Sequence, residues 1–199
     1  MNNEHSDVAA IILAGGYGRR VKSLGAKPLL NFHDKTFTEI IVDNLKGIAV
    51  HSIILVTNAE LHDKIKKLTP GLRLAINNNP SQGMFSSLKI GLKLIQASSS
   101  GFFLCPVDFP LVSPQTFRIL YQHFEKLSSN IIKPSYHGKA GHPMIVPQQL
   151  YGELMTAPLS QSPRQVLHQH LDETSYVDVP DSGVITNINT VEAYMMHCR

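Results

Sequence analysis

Three short apolar runs, each closed by a turn of unusual composition, constrain this chain more than any other feature. Val8–Leu13 (VAAIIL) runs straight into glycines, Ser52–Thr57 (SIILVT) precedes a polar stretch, and Gly101–Val107 (GFFLCPV) is closed by Asp108. Apolar runs without polar alternation read as strands covered on both faces of a parallel sheet. Leu72–Ile76 reads as a further strand. Helical patterns fill the intervals. Thr36 and Glu39 are spaced as a capping box ahead of Ile40, Ile41 and Leu45, and a polar helix is predicted around Glu60–Leu68. Met84, Leu88, Leu92 and Ile95 recur at near-helical spacing just after Gly83, and Pro114 to Leu127 places Phe117, Leu120 and Phe124 on one helical face.

Strands alternating with helices predict an α/β fold: one three-layer domain over residues 1–199, with a mostly parallel, Rossmann-like sheet. The pattern is less regular after residue 130, so part of the sheet is expected to run antiparallel in the C-terminal third. In open sheets of this kind ligands bind beyond the carboxyl ends of the strands. The loops after Leu13, Ile76 and Val107 are therefore the candidate site.

Composition narrows the function classes. A chain of 199 residues with 43% hydrophobic and 17% charged content folds as one globular unit with a sizeable core. The formal charge is +3, and its lysines and arginines form no run or stripe of the kind that binds nucleic acid. Cys105 and Cys198 make no CxxC pair, which favours a reduced, cytoplasmic setting and disfavours structural zinc. None of the ten histidines sits in an HExxH helix, and most are expected to be solvated. The polar start of the chain carries no signal-peptide pattern, and no apolar run approaches the ~20 residues that span a bilayer.

The first loop, Leu13-Ala14-Gly15-Gly16-Tyr17-Gly18-Arg19-Arg20, packs three glycines into four positions. Without Cβ atoms the backbone can turn sharply and bring its N–H groups against an anion. Arginines supply fixed, permanently charged forks for phosphate oxygens. No GxxxxGK[ST] is present, and Val21 stands where the dinucleotide fingerprint needs its third glycine, which disfavours a nicotinamide-dependent oxidoreductase. Lys27 follows in Gly25-Ala26-Lys27-Pro28-Leu29-Leu30, where a cation could neutralise charge building on transferring phosphates. Gly83 and Met84 open a helix whose first turn carries Ser86 and Ser87, offering N–H groups and hydroxyls to a base edge or a phosphate. Asp108, at a strand end, is a hard oxygen ligand suited to Mg²⁺. His142, in the constrained turn Gly141-His142-Pro143, either orients a second substrate or hydrogen-bonds the turn's own backbone.

The run from Leu13 to Leu30 resembles the signature of the nucleotidyltransferases that activate sugars, alditols and cofactors, in which LAxGxGxR is followed by a lysine ahead of a short apolar strand. Later segments resemble the branch containing the molybdenum cofactor cytidylyl- and guanylyltransferases. Asn79-Pro80-Ser81-Gln82-Gly83-Met84-Phe85-Ser86-Ser87-Leu88 is similar to its NPxxxGMxxSL segment, and Cys105-Pro106-Val107-Asp108-Phe109-Pro110-Leu111-Val112 to its strand-end aspartate followed by xPLV. Tyr136-His137-Gly138-Lys139-Ala140-Gly141-His142-Pro143 is similar to its GxxGHP turn. Asn187-Ile188-Asn189-Thr190, then Glu192, stands where the family carries DIDTPEDY or NxNTPED.

The resemblance implies a nucleotide-diphospho-sugar transferase-like fold. It also implies Mg²⁺-dependent transfer of a nucleotidyl group from CTP or GTP to a phosphorylated acceptor, a molybdopterin cofactor or a sugar or alditol phosphate, with release of pyrophosphate. By the same resemblance Arg20, Lys27 and Asp108 are catalytic. Leu13, Ala14, Gly15, Gly16, Gly18, Asn79, Gly83, Met84 and Ser87 bind the nucleotide, Gly141 and His142 the acceptor, and Asp108 and Asn189 the metal. The partners are then a nucleoside triphosphate and a small phosphorylated molecule, with no nucleic acid and no membrane. Asparagines at 187 and 189, where the cytidylyl branch has aspartates, leave a second reading open: a catalytically weak, regulatory nucleotide-binding module of the same fold.

Overall fold

The computed structural model describes residues 7–16 and 19–198, with the side chains of residues 19, 20 and 22 outside that description. In chain order the strands and helices are β1 (Val8–Leu13), β2 (Asn31–Phe32), β3 (Lys35–Thr36), α1 (Phe37–Lys46), β4 (Ile53–Thr57), α2 (Ala59–Leu68), β5 (Arg73–Ile76), α3 (Met84–Leu92) and β6 (Gly101–Pro106). There follow α4 (Pro114–Lys126), β7 (Ile131–Tyr136), β8 (Lys139–Ala140), β9 (Met144–Pro147), α5 (Tyr151–Thr156), α6 (Pro163–Leu167), β10 (Thr174–Asp178) and α7 (Val191–His197).

The main sheet runs β10-β7-β9-β6-β1-β4-β5, with β8 paired to β7. β1 lies in its interior, parallel to β4 and β6, and β5 is parallel to β4 at one edge. The expected antiparallel part is β9, which pairs with β6 on one side and β7 on the other, together with β8. β9 is thus the strand through which β7 and β10 join the rest of the sheet. The short apolar strand expected after Lys27 is instead a single tight helical turn, Lys27–Leu29, leading into the small β2–β3 hairpin.

Side chains on a strand alternate between faces, and β1 is apolar throughout because both its faces are covered. Ala10 and Ile12 join Phe37, Ile41, Leu45, Phe117, Leu120 and Phe124 on the face covered by α1, α2 and α4. Ala9, Ile11 and Leu13 join Phe85, Leu88, Leu154 and Leu167 on the face covered by α3, α5 and α6. Each fully buried side chain of this kind contributes about 1.5–3 kcal/mol. The capping box at α1 is present: the Thr36 hydroxyl accepts from the Glu39 N–H, and the Glu39 carboxylate accepts from the Thr36 N–H. No helix among the described residues is long and apolar enough to cross a membrane.

Candidate active site

The three loops singled out in the sequence meet at the carboxyl ends of β1, β5 and β6, around a cleft of about 230 Å³. Leu13, Ala14, Gly15 and Gly16 line it from the first loop, Gly83, Met84 and Ser87 from the second, and Asp108 from the third, with Lys27 at the same wall. Gly18 and the side chain of Arg20 lie outside the described residues. Asn79 is not in the lining; its backbone N–H donates to Asn77 Oδ1 behind the second loop.

The first loop continues the sheet's bonding by one residue, since Ala14 N–H donates to the Val56 carbonyl at 2.8 Å. A Cβ on Gly15 would stand 3.2 Å from Ser87 Oγ, whereas one on Gly16 would meet nothing within 4 Å. The backbone therefore turns tightly against α3 and then opens toward the cleft. In the second loop, Gly83 takes φ +85°, a value that disfavours any side chain, and from it α3 starts with no side-chain cap. Its free N–H groups stand at the cleft wall.

A buried polar layer underlies both loops, and sequence reasoning had missed it. The Asn77 amide donates to Ser86 Oγ at 2.8 Å and to Ser87 Oγ at 2.9 Å, and Asn58 donates to the Gly15 carbonyl at 3.4 Å. Ser86 Oγ in turn donates to the Gly83 carbonyl at 2.8 Å. Ser87 Oγ accepts from an amide, so its own proton is directed elsewhere, and the hydroxyl can serve as a donor in the cleft. The only sign of this layer in the sequence is a run of asparagines, Asn77 to Asn79, directly after β5.

In the third loop the strand stops at Pro106, two residues before Asp108, and the chain turns there instead of ending its strand on the carboxylate. Two backbone bonds fix the turn: Val107 N–H to the Leu13 carbonyl at 3.2 Å, and Ile188 N–H to the Asp108 carbonyl at 2.8 Å. The second bond brings Asn189 beside Asp108. Lys27 Nζ lies 3.6 Å from Asp108 Oδ2 and donates to Asn189 Oδ1. The lysine and aspartate side chains are only 15% and 20% exposed, so the pair is screened less than a surface one. Thr38, fully buried in α1, holds the lysine's turn by donating to the Pro28 carbonyl at 2.8 Å.

Asp108 Oδ2 and Asn189 Oδ1 already converge on one cation, the Lys27 ammonium. Among the described residues no group of three or more histidines, cysteines or acids is assembled to hold a metal. One carboxylate and one amide oxygen fit an ion that takes its remaining ligands from substrate phosphates and water, which is the habit of Mg²⁺. Cys105, one residue from the end of β6, is fully buried, and burial pushes its thiol far up, so it stays neutral and unreactive.

Gly141 and His142 lie in a second cleft, of about 350 Å³, that shares Met84 with the first. Gly141 N–H donates to the Pro134 carbonyl and His142 N–H to the Val184 carbonyl, each at 2.9 Å. The His142 Nδ1 is fully shielded and has no hydrogen-bond partner. Burial brings its pKa down to about 4, against the opposing pull of the nearby Asp108 charge, so the ring is neutral near pH 7. An unfolded histidine titrates near ~6.5, so on acidification the unfolded chain takes up this proton first. The stabilisation associated with a neutral His142 is then present above about pH 6.5 and is lost as pH falls toward 4. Urea titrations should show the wild type losing about 2 kcal/mol relative to His142→Gln between about pH 7.5 and about pH 5. Equal losses in the two proteins would mean that folding does not move the titration of the ring.

An open, mostly parallel sheet whose first, third and fourth large strands deliver a glycine loop, a helix N-terminus and an aspartate to one cleft, with a lysine paired to that aspartate, is the architecture of a nucleotidyltransferase. The chain belongs to the family of MobA-like NTP transferase domains, whose pattern matches residues 10–174. It is 26% identical over 203 residues to a probable molybdenum cofactor guanylyltransferase of Methanosarcina mazei, covering 92% of this chain and 87% of the relative. The fold is shared with Rv0371c of Mycobacterium tuberculosis, at a TM-score of 0.83 and 21% identity over 97% of both chains. A manganese complex of the same mycobacterial protein superposes at a TM-score of 0.75, with 18% identity over 96% of this chain and 98% of that one.

Proposed function

We propose that this enzyme transfers a guanylyl or cytidylyl group from the Mg²⁺ complex of GTP or CTP to the phosphate of a small acceptor. GTP and a molybdopterin-type acceptor are the first choice, because the archaeal relative carries the name of a molybdenum cofactor guanylyltransferase. An acceptor phosphate oxygen forms a bond to the α-phosphorus, the bond from that phosphorus to the bridging oxygen breaks, and pyrophosphate leaves with the bond's electrons. The observation that carries the reading is the Lys27–Asp108–Asn189 cluster at the mouth of the glycine loop.

No covalent intermediate on the protein is needed, so the residues act by position and charge. Gly15 and Gly16 present backbone to the triphosphate, and Lys27, with Arg20 by sequence, neutralises charge on the phosphates. Met84 and Ser87 meet the base or ribose, with Gly83 allowing the close approach. Asp108 and Asn189 would hold Mg²⁺, which when bound supplies positive charge to the phosphates. The manganese complex of the mycobacterial protein supports a divalent ion in this fold.

Calorimetric titration of GTP, CTP and ATP, each with Mg²⁺, tests the reading. GTP is expected to bind at least about tenfold more tightly than ATP, a difference of about 1.4 kcal/mol. Heat with none of the triphosphates would overturn it, and tightest binding of ATP would overturn the choice of base.

A further inference from the structure

Behind the first cleft, the buried Asn77 engages its main-chain N–H and both ends of its side-chain amide. The main-chain N–H donates to the Thr57 carbonyl at 2.7 Å, at the end of β4. The side-chain oxygen accepts from the Asn79 N–H at 2.9 Å. That N–H can only donate, so the amide cannot be turned end for end, and its nitrogen must face α3. There it donates to Ser86 Oγ at 2.8 Å and to Ser87 Oγ at 2.9 Å. A serine in a helix often gives its own proton to a carbonyl three or four residues back, and Ser86 does so, to Gly83 at 2.8 Å. Ser87 makes no such bond among the described residues, although it is just as deeply buried. Its oxygen stands 3.2 Å from where a Cβ on Gly15 would be, and it lines the first cleft. Between the glycine loop and α3 there is thus a hydroxyl whose oxygen is already bonded and whose proton has no acceptor.

We propose that Asn77 is a positioning residue for the nucleotide, and that its amide fixes Ser87 as a hydrogen-bond donor to an acceptor oxygen of the bound triphosphate. This rests on the nucleotidyl-transfer reading, which places the nucleotide in the first cleft. A free serine hydroxyl turns about its C–O bond and offers a ligand either its proton or a lone pair. The Asn77 amide occupies a lone pair, so the cleft receives the proton, oriented before the nucleotide arrives. Orientation in advance spares the ordering that binding would otherwise require. The oxygen that Ser87 meets belongs either to the phosphates or to the nucleoside, and in both places it is an acceptor. A base that turned an amino group toward Ser87 would set donor against donor and leave both protons unpaired. Asn77 itself touches no ligand, and Ser87 carries its effect.

The amide bonds are tested first, on the protein without nucleotide. In nitrogen-15 spectra the side-chain amide protons of Asn77 should exchange with solvent at least about a hundredfold more slowly than those of the exposed Asn78 next to it. Ser87→Ala should shift one of the two resonances and speed its exchange. Equal exchange at the two asparagines would overturn the assignment. This measurement needs only the wild type, and it decides even if Asn77→Ala does not fold. Next, the tighter binder of GTP and CTP is titrated with Mg²⁺ into the wild type, Asn77→Ala, Ser87→Ala and the double variant. Each single substitution should raise Kd about tenfold, and the double variant should bind within about twofold of Ser87→Ala. A merely structural Asn77 would weaken binding by the same factor with or without Ser87, and that result would overturn the assignment too. Inorganic triphosphate with Mg²⁺ locates the oxygen: a matching rise in its Kd puts it on the phosphates, and a rise for the nucleotide alone puts it on the nucleoside. If the nucleotide binds and the two residues act independently, only the role of Asn77 falls. If no triphosphate binds the wild type, the nucleotidyl-transfer reading fails and takes this role with it.

Discussion

Asp108→Asn is expected to lower the rate of pyrophosphate release by about two to three orders of magnitude while weakening GTP binding by less than about tenfold. The substitution keeps the shape of the side chain and removes its charge. Asp108 is the one carboxylate lining the first cleft among the described residues, and it stands 3.6 Å from the Lys27 ammonium. Its turn is held by backbone bonds to Leu13 and from Ile188 that an amide leaves intact, so the fold should survive. Lys27→Ala should give a loss of similar order, and the double variant should lose much less than the sum, because each residue positions the other. Rates and GTP affinities for the four proteins decide the matter. Full activity in Asp108→Asn would remove this residue from the catalytic group, and strict additivity would show that the pair does not act as a unit.

Gly141→Ala is expected to cost about 3 kcal/mol or more in urea unfolding. A Cβ at this position would stand 2.0 Å from the Val184 carbonyl oxygen and 2.5 Å from its carbon. Both are backbone atoms of the 182–185 turn, so no flexible side chain can swing aside. Relief requires parting the two segments and breaking the 2.9 Å bond from His142 N–H to that same carbonyl. Gly152 in α5 is the matched control, because a Cβ there meets nothing within 4 Å. Its change to alanine should be neutral or stabilising by up to about 1 kcal/mol. Equal stabilities for the two variants would contradict the close approach at Gly141.

Local chemistry made much of this molecule readable beforehand. β1, the capping box at Thr36 and Glu39, and the helix after Gly83 all follow from periodicity and termination signals within a few residues. The three loops of the first cleft were readable for the same reason, since each is the end of an apolar run. What escaped depends on partners far apart in the chain. Asn189 accepts from Lys27 across 162 residues, and the sequence reading assigned the two to different tasks. Asn77 looked like any polar residue after a strand, because its role is set by two serines on the following helix that come within reach only once α3 has packed.

The insertion of β9 between β6 and β7 has a consequence for how the chain assembles. β1, β4, β5 and β6 can pair with one another as soon as residues up to 106 are available, through crossovers closed by nearby helices. β7 and β10 have no such route, because they join the sheet through β9, which must first set Met144 beside Leu104. β6 is therefore costly to close on both its sides, since its pairs with β1 and with β9 each join residues far apart in the chain, whereas β7 meets β8 and β9 locally. The half carrying Lys133 and Tyr176 is therefore tied to the nucleotide half of the sheet through β9. A nascent or truncated chain lacking β9 would carry β6 as an open apolar edge, the template on which unpaired strands from other copies add.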